Sequence, residues 1–126
     1  MFAYPASKSQ FLRARSADLS IGGNDVQLDL GITYVYIIDS SLHMSKGKIA
    51  AQVSHVAMQL AEKYGCLGKA VVLKTDHDTF LGFSYLEDAV IQIDAGRTQV
   101  PEGTITCIGF KQTETIEKYI KHLTLL

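Results

Sequence analysis

The chain has 126 residues, of which 47% are hydrophobic and 20% charged, and this size and composition predict one globular domain with a single core. Twelve Lys and Arg residues against thirteen Asp and Glu residues give a formal net charge of −1. No overall field therefore draws the protein to nucleic acid or to a membrane, and any site for a polyanion must be local. No apolar run approaches the roughly 20 residues needed to span a bilayer, which predicts a soluble protein.

The cysteine content indicates the compartment. Cys66 and Cys107 are the two thiols of the chain. They are too few for a disulfide scaffold in a chain with ample core, so buried free cysteines in a reducing compartment are favoured. Pairing between them stays open. The expected location is cytoplasmic.

Residues 1–31 are interpreted as an N-terminal arm ahead of a domain over residues 32–126. Three basic residues precede the first acid of the arm, a composition shared with organelle transit peptides. A surface arm is favoured, and a mitochondrial location stays open as the alternative. Residues 26–30 alternate apolar and polar side chains, as a half-buried edge strand does. The arm is therefore expected to add a strand to the sheet.

From residue 32 onward, strand patterns alternate with helix patterns. Strands are predicted at residues 32–38, 69–74, 89–94 and 103–110. Ser45 offers an N-cap and Gly65 a stop for a long amphipathic helix between them. A short helix interrupted by Gly82 is predicted at residues 77–86, and another helix opens at residue 113. The pattern predicts an α/β fold, a three-layer α/β/α sandwich with a mixed four-stranded sheet, which the arm would extend.

A polar stripe follows the long helix. Lys48, Gln52, His55 and Gln59 recur at steps of four, three and four, so they share one face, which is expected to point outward, opposite the apolar face. Lys46 and Lys48 lie at the helix N-terminus, where free N–H groups favour an anion such as phosphate. The segment lacks the longer glycine loop that binds nucleoside triphosphates. The alternative interpretation is an ordinary solvated face.

A second polar stretch, "DAGRTQVPEGTITC", spans residues 94–107. Asp94 ends a predicted strand, and ligands gather at the carboxyl ends of parallel strands. The following turn offers a glycine, two N–H donors and a hydroxyl: Gly96, Arg97, Gln99 and Thr98. The alternative is a polar β-turn in which Asp94 accepts backbone hydrogen bonds.

The stretches "MSKGKIAAQVSH" and "IDAGRTQVPEGTITCIG", in this order, resemble the archaeal and eukaryotic type of peptidyl-tRNA hydrolase, the type-two family. The resemblance covers about residues 32–126. It implies a mixed four-stranded sheet between helices, and hydrolysis of the ester that joins a peptide to the 3′ ribose of tRNA. It also implies peptidyl-tRNA as the partner, a homodimer, and a reaction that needs neither cofactor nor metal.

The resemblance assigns catalytic positions to Lys46, Asp94 and Thr98. Substrate-binding positions fall on Lys48, Gln52, His55, Gly96, Arg97, Gln99 and Thr106. With these roles, Asp94 would accept the proton of the attacking water, Thr98 would align that water, and Lys46 would stabilise the oxyanion or hold the terminal phosphate. His55 is a rival base, because an imidazole titrates near neutral pH.

The chain departs from the family pattern ahead of the lysine motif. Asp39 and Ser41 stand where the family has an arginine and an aspartate. A carboxylate there is expected to repel phosphate and to weaken tRNA binding more than hydrolysis. Two further functions therefore stay open: hydrolysis of a related acyl or aminoacyl ester, and a binding module without catalysis.

Overall fold

The structure is a computed structural model, and it describes residues 20–21, 24–25, 27–95 and 100–126. Two short antiparallel strands, β1 (Ser20–Ile21) and β2 (Asn24–Asp25), precede the main sheet. The strands of the main sheet are β3 (Gln27–Asp39), β4 (Cys66–Thr75), β5 (Val90–Ile93), β6 (Ile105–Lys111) and β7 (Thr124–Leu125). The helices are α1 (Lys46–Tyr64), α2 (His77–Phe83) and α3 (Glu114–Ile120). A 3₁₀ turn, Ser40–Leu42, joins β3 to α1.

The sheet is mixed, with strand order β5-β6-β3-β4-β7. β3 and β4 are parallel, β6 is antiparallel to β3, and β5 is antiparallel to β6. β3, β4 and β5 therefore run in the same direction, and their carboxyl ends lie at one edge of the sheet. The α/β class is confirmed.

The number of strands differs from the expected four, because the described part of the chain forms a five-stranded sheet. The additional strand is β7, which follows the helix predicted to open at residue 113 and was not itself predicted. α3 ends at Ile120, and the chain then returns to pair antiparallel with β4, where Leu126 N donates to Val72 O at 3.1 Å. This pairing joins residues that lie far apart in the sequence, so no local pattern indicated it.

The expected strand at residues 26–30 is not a separate edge strand in its described part. Gln27 begins β3 itself, and Gln27 and Leu28 pair in parallel with the start of β4. The register shifts between Leu28 and Thr33. A Cβ at Gly68 would lie 2.6 Å from Ile32 O, so this irregular stretch brings the two backbones too close for any side chain.

The central strand packs helices on both faces of the sheet, because its side chains alternate. Tyr34, Tyr36 and Ile38 form one cluster with Val56 and Leu60 of α1. The intervening residues of β3 join the opposite cluster, which includes side chains of α2 and α3: Val35, Ile37, Phe80, Phe83, Ile116 and Ile120.

α1 has the predicted boundaries. Ser45 Oγ accepts from Lys48 N at 3.2 Å, and Gly65 ends the helix with a φ of 73°. α1 lies directly on β6, because a Cβ at Gly109 would come within 2.3 Å of Val56 Cγ1. This close contact sets the height of α1 above the sheet and thus the position of its polar side chains. The predicted short helix runs through Gly82 and ends at Phe83.

Candidate active site

The start of α1 and the end of β5 meet at the edge of the sheet where the parallel strands end. Asp94 directly follows β5. Its backbone is held at both polar atoms, since Asp94 N donates to Thr104 O and Gly103 N donates to Asp94 O, each at 2.9 Å. Gly103 has a φ of 83°, which glycine adopts without strain. These bonds close the base of the loop at residues 95–102 and give the Asp94 side chain a defined direction.

Lys48 and Asp94 form an ion pair at this edge. Lys48 Nζ donates to Asp94 Oδ2, and the two side chains are 9% and 4% exposed. Two opposite charges so poorly solvated attract each other much more strongly than they would in water. The expectation of an outward Lys48 is therefore wrong, because its side chain bends back toward the sheet to meet a buried carboxylate.

One turn further along α1, a second polar contact joins the helix to the sheet. The hydroxyl of Thr106 in β6 donates to Gln52 Oε1 at 2.6 Å. Both residues are buried. The outward direction predicted for Gln52 is wrong as well. Its side chain points toward β6, where the hydroxyl of Thr106 gives its buried amide oxygen a hydrogen-bond donor.

A third contact lies at the open side of β5. Gln59 Nε2 donates to Gln92 Oε1 at 3.1 Å, and both side chains border solvent. His55 is exposed, as expected for this stripe, and within the described ranges no hydrogen bond joins its ring to Asp94 or Lys48. The stripe therefore lies over a matching polar row of the sheet, formed by Asp94, Thr106 and Gln92.

Lys46 lies on the other side of α1. It is exposed and borders a cavity of about 530 Å³, whose other lining residues are Ile49, Ala50, Val53, Val72 and Leu126. Lys46 and Lys48 are two residues apart, which is about 200° around a helix with 3.6 residues per turn. The structure therefore brings Lys48, and not Lys46, to Asp94. The helical period predicts that the two lysines lie on different sides of α1, but which of them faces Asp94 depends on how α1 packs on the sheet.

Asp39 is a buried residue in the structure, 1% exposed. Its carboxylate accepts from Ser41 N at 2.9 Å, from Ser41 Oγ at 2.6 Å and from His77 Nδ1 at 2.6 Å. The hydrogen bond to Asp39 raises the pKa of His77, partial burial opposes this, and Asp78 and Asp76 raise it further. The Asp39 carboxylate is therefore enclosed by donors from Ser41 and His77 and is not open to solvent, and its expected effect on tRNA binding stays a prediction.

Several predicted residues lie outside the described residues: Gly96, Arg97, Thr98 and Gln99. Both cysteines are free, and burial raises the pKa of Cys107 to about 12. Within the described ranges, no group of three or more His, Cys, Asp or Glu side chains could hold a metal ion. None of the helices described is long and apolar enough to cross a membrane.

Comparison with known proteins shows which family and which relatives this chain is similar to. The family model described as "Peptidyl-tRNA hydrolase PTH2" matches residues 32–79 and 85–126. The chain is similar to a peptidyl-tRNA hydrolase of Methanothermobacter thermautotrophicus, with 36% identity over 73% of this chain and 97% of the relative. A peptidyl-tRNA hydrolase of Sulfurisphaera tokodaii is 34% identical, over 73% and 96% of the two chains. The enzyme of that name from Haloquadratum walsbyi is 33% identical, over 68% and 92%.

Proposed function

Because the chain belongs to the Peptidyl-tRNA hydrolase PTH2 family, we propose that it hydrolyses the ester between peptide and tRNA, which recycles tRNA. The observation that carries the proposal is the ion pair of Lys48 and Asp94 at the edge where the parallel strands end. The site combines a base, a cation and fixed polar side chains. Ester hydrolysis needs a base for water and a donor for the oxyanion.

The reaction assigned to this pair begins with a water molecule beside Asp94. The water oxygen bonds to the ester carbonyl carbon while Asp94 accepts a proton from it. The tetrahedral oxyanion then collapses, the bond to the ribose 3′ oxygen breaks, and that oxygen takes up the proton. The products are tRNA with a free 3′ hydroxyl and a peptide with a free carboxylic acid, which releases its proton to solvent and becomes a carboxylate.

Lys48 is assigned two effects on this reaction. Its ammonium group donates to the Asp94 carboxylate and so helps to hold that side chain in place at the end of β5. It also offers N–H donors for the oxyanion in a position where little water competes. Lys46, exposed on the other side of α1, is assigned to the phosphate backbone of tRNA, where a surface cation acts through local charge.

The loop between Asp94 and Gly103 completes the proposed site. Thr98 is assigned to the alignment of the attacking water, and Gly96, Arg97 and Gln99 to substrate binding, on the strength of the family motif. The hydrogen bond between Thr106 and Gln52 supports a role in keeping α1 and β6 in register below the ion pair. The helices on both sheet faces support the three-layer α/β/α arrangement. The homodimer remains a prediction.

The decisive experiment is release of labelled peptide from N-acetylated aminoacyl-tRNA by purified protein. The native chain should release it, and Asp94→Asn should lower kcat by a factor on the order of 10² or more, because the amide keeps the shape but accepts no proton. Asp88→Asn is the matched control, since Asp88 is exposed. No release by the native chain, with activity on a simple aminoacyl ester, would favour the related esterase instead.

A further inference from the structure

The contact between Gln59 and Gln92 lies beside the proposed catalytic pair. Gln92 lies in β5 and Asp94 directly follows that strand. Both side chains contact α1, Gln92 through Gln59 and Asp94 through Lys48, so they lie on the same side of the sheet. Gln59 lies on the polar stripe of α1 that begins with Lys48. The Gln59 and Gln92 amides therefore continue the polar row from Asp94 along the open side of β5.

The two amides hold each other in place. Gln59 Nε2 donates to His55 O at 3.3 Å and to Gln92 Oε1 at 3.1 Å, which uses both of its N–H groups. Gln92 Nε2 donates one N–H group to Ile93 O at 3.3 Å. These bonds restrict both side chains before any ligand arrives, which lowers the entropic cost of binding one.

The bonds leave one acceptor and one donor of this pair unused. Within the described residues, no group donates to Gln59 Oε1, and one N–H group of Gln92 Nε2 has no acceptor. One acceptor and one donor are the two groups that amide side chains use to bind adenine, whose exocyclic N–H lies next to an unprotonated ring nitrogen. His55, exposed one turn earlier on the stripe, adds an aromatic ring of the kind on which unpaired bases stack.

We propose that Gln59 and Gln92 form the binding subsite for the adenine base of the tRNA 3′ end. This inference rests on the proposed function, because the peptide ester and the terminal base are attached to the same ribose. An ester at Lys48 and Asp94 puts that base within reach of the neighbouring amides. The two amides carry no charge, and neutral hydrogen-bonding groups are suited to the edge of a base. The negatively charged phosphates are bound by lysines instead.

The test compares two N-acetylated aminoacyl-tRNAs that differ only at the terminal base. One ends in adenosine and the other in purine riboside, which lacks the exocyclic N–H group. We expect the native chain to prefer adenosine about tenfold in kcat/KM, which is the size of one well-formed contact to a base edge. Gln92→Leu should reduce the preference to less than about threefold, since leucine has a similar shape and no amide.

Gln112→Leu is the matched control, because Gln112 is exposed on the loop after β6, and it should keep the native preference. Gln59→Leu removes the other amide, and it tests the proposal independently if Gln92→Leu fails to fold. A full tenfold preference in both variants would overturn the subsite. Equal release of peptide from the two tRNAs by the native chain would overturn the subsite alone, whereas release from neither would overturn the hydrolytic function with it.

Discussion

His77 Nδ1 lies 2.6 Å from Asp39 Oδ2, and this hydrogen bond ties the first turn of α2 to the end of β3. The imidazole is 52% exposed while the carboxylate is 1% exposed. The contact thus joins a solvated titratable group to a buried acceptor, and it gives the stability of the fold a dependence on pH.

The sign of this dependence follows from the raised pKa of His77. A raised folded-state pKa contributes stability that is fully present below the unfolded value of about 6.5 and is lost as pH rises through the folded value. His77→Asn keeps a neutral donor near the Nδ1 position. The native chain should therefore exceed this variant in unfolding free energy by more at pH 5.5 than at pH 8.5, as measured by urea denaturation.

His122→Asn serves as the control for loss of an exposed imidazole, because no hydrogen bond of the His122 ring is found within the described residues. The difference in unfolding free energy between the native chain and His122→Asn is subtracted, at each pH, from the difference found for His77→Asn. A His77→Asn difference that grows toward high pH would contradict the proposed sign.

The two lysines of the motif should have different effects on hydrolysis. Lys48→Met removes the cation that contacts Asp94, so kcat should fall by about 10²-fold, as when an oxyanion donor is lost. Lys46→Met, on the other side of α1, should mainly raise KM, and this effect should fade at high salt. Steady-state peptide release at low and high salt measures both. A larger loss of kcat in Lys46→Met would return the catalytic role to Lys46.

Thr106 should contribute to stability through its buried hydroxyl. Thr106→Val removes the 2.6 Å donor to Gln52 Oε1 and leaves a buried amide oxygen without this partner, which should lower the unfolding free energy by about 1–3 kcal/mol. The urea midpoint should fall with the m-value unchanged. Thr104→Val, at a partly exposed neighbouring threonine, should change stability by less than about 0.5 kcal/mol. Equal effects of the two substitutions would contradict the assignment.

The contact between α1 and β6 requires glycine. A Cβ at Gly109 would meet Val56 Cγ1 at 2.3 Å and Leu60 Cδ1 at 3.0 Å, so Gly109→Ala should lower the unfolding free energy by about 1–3 kcal/mol through overpacking. Gly82→Ala is the opposite case. Nothing lies within 4 Å of a Cβ there, and alanine is the better helix former, so stability should rise by about 0.5–1 kcal/mol. Thermal denaturation of the two variants measures both signs, and a stable Gly109→Ala protein would show that α1 shifts freely on β6.

Elements with local signals were predictable from the sequence. Ser45 and Gly65 bracket α1 because a hydroxyl cap and a left-handed glycine act within one turn of the helix ends. The β-branched run at residues 32–38 formed the buried centre of β3, since its side chains suit both faces of a covered strand. The two long motifs, in their order, identified the family.

Contacts between residues distant in sequence were decided only by the tertiary structure. Asp94 selects Lys48 over Lys46 because α1 lies over β5 with one side of its first turn toward the sheet. Asp39 accepts a hydrogen bond from His77, which is 38 residues away in the sequence. β7 forms because the residues after α3 pair with the edge of β4. The sequence pattern shows which side chains share a face of a helix or strand. Which charges come into contact depends on how the helices pack on the sheet, and this packing is set by the two hydrophobic clusters on its faces.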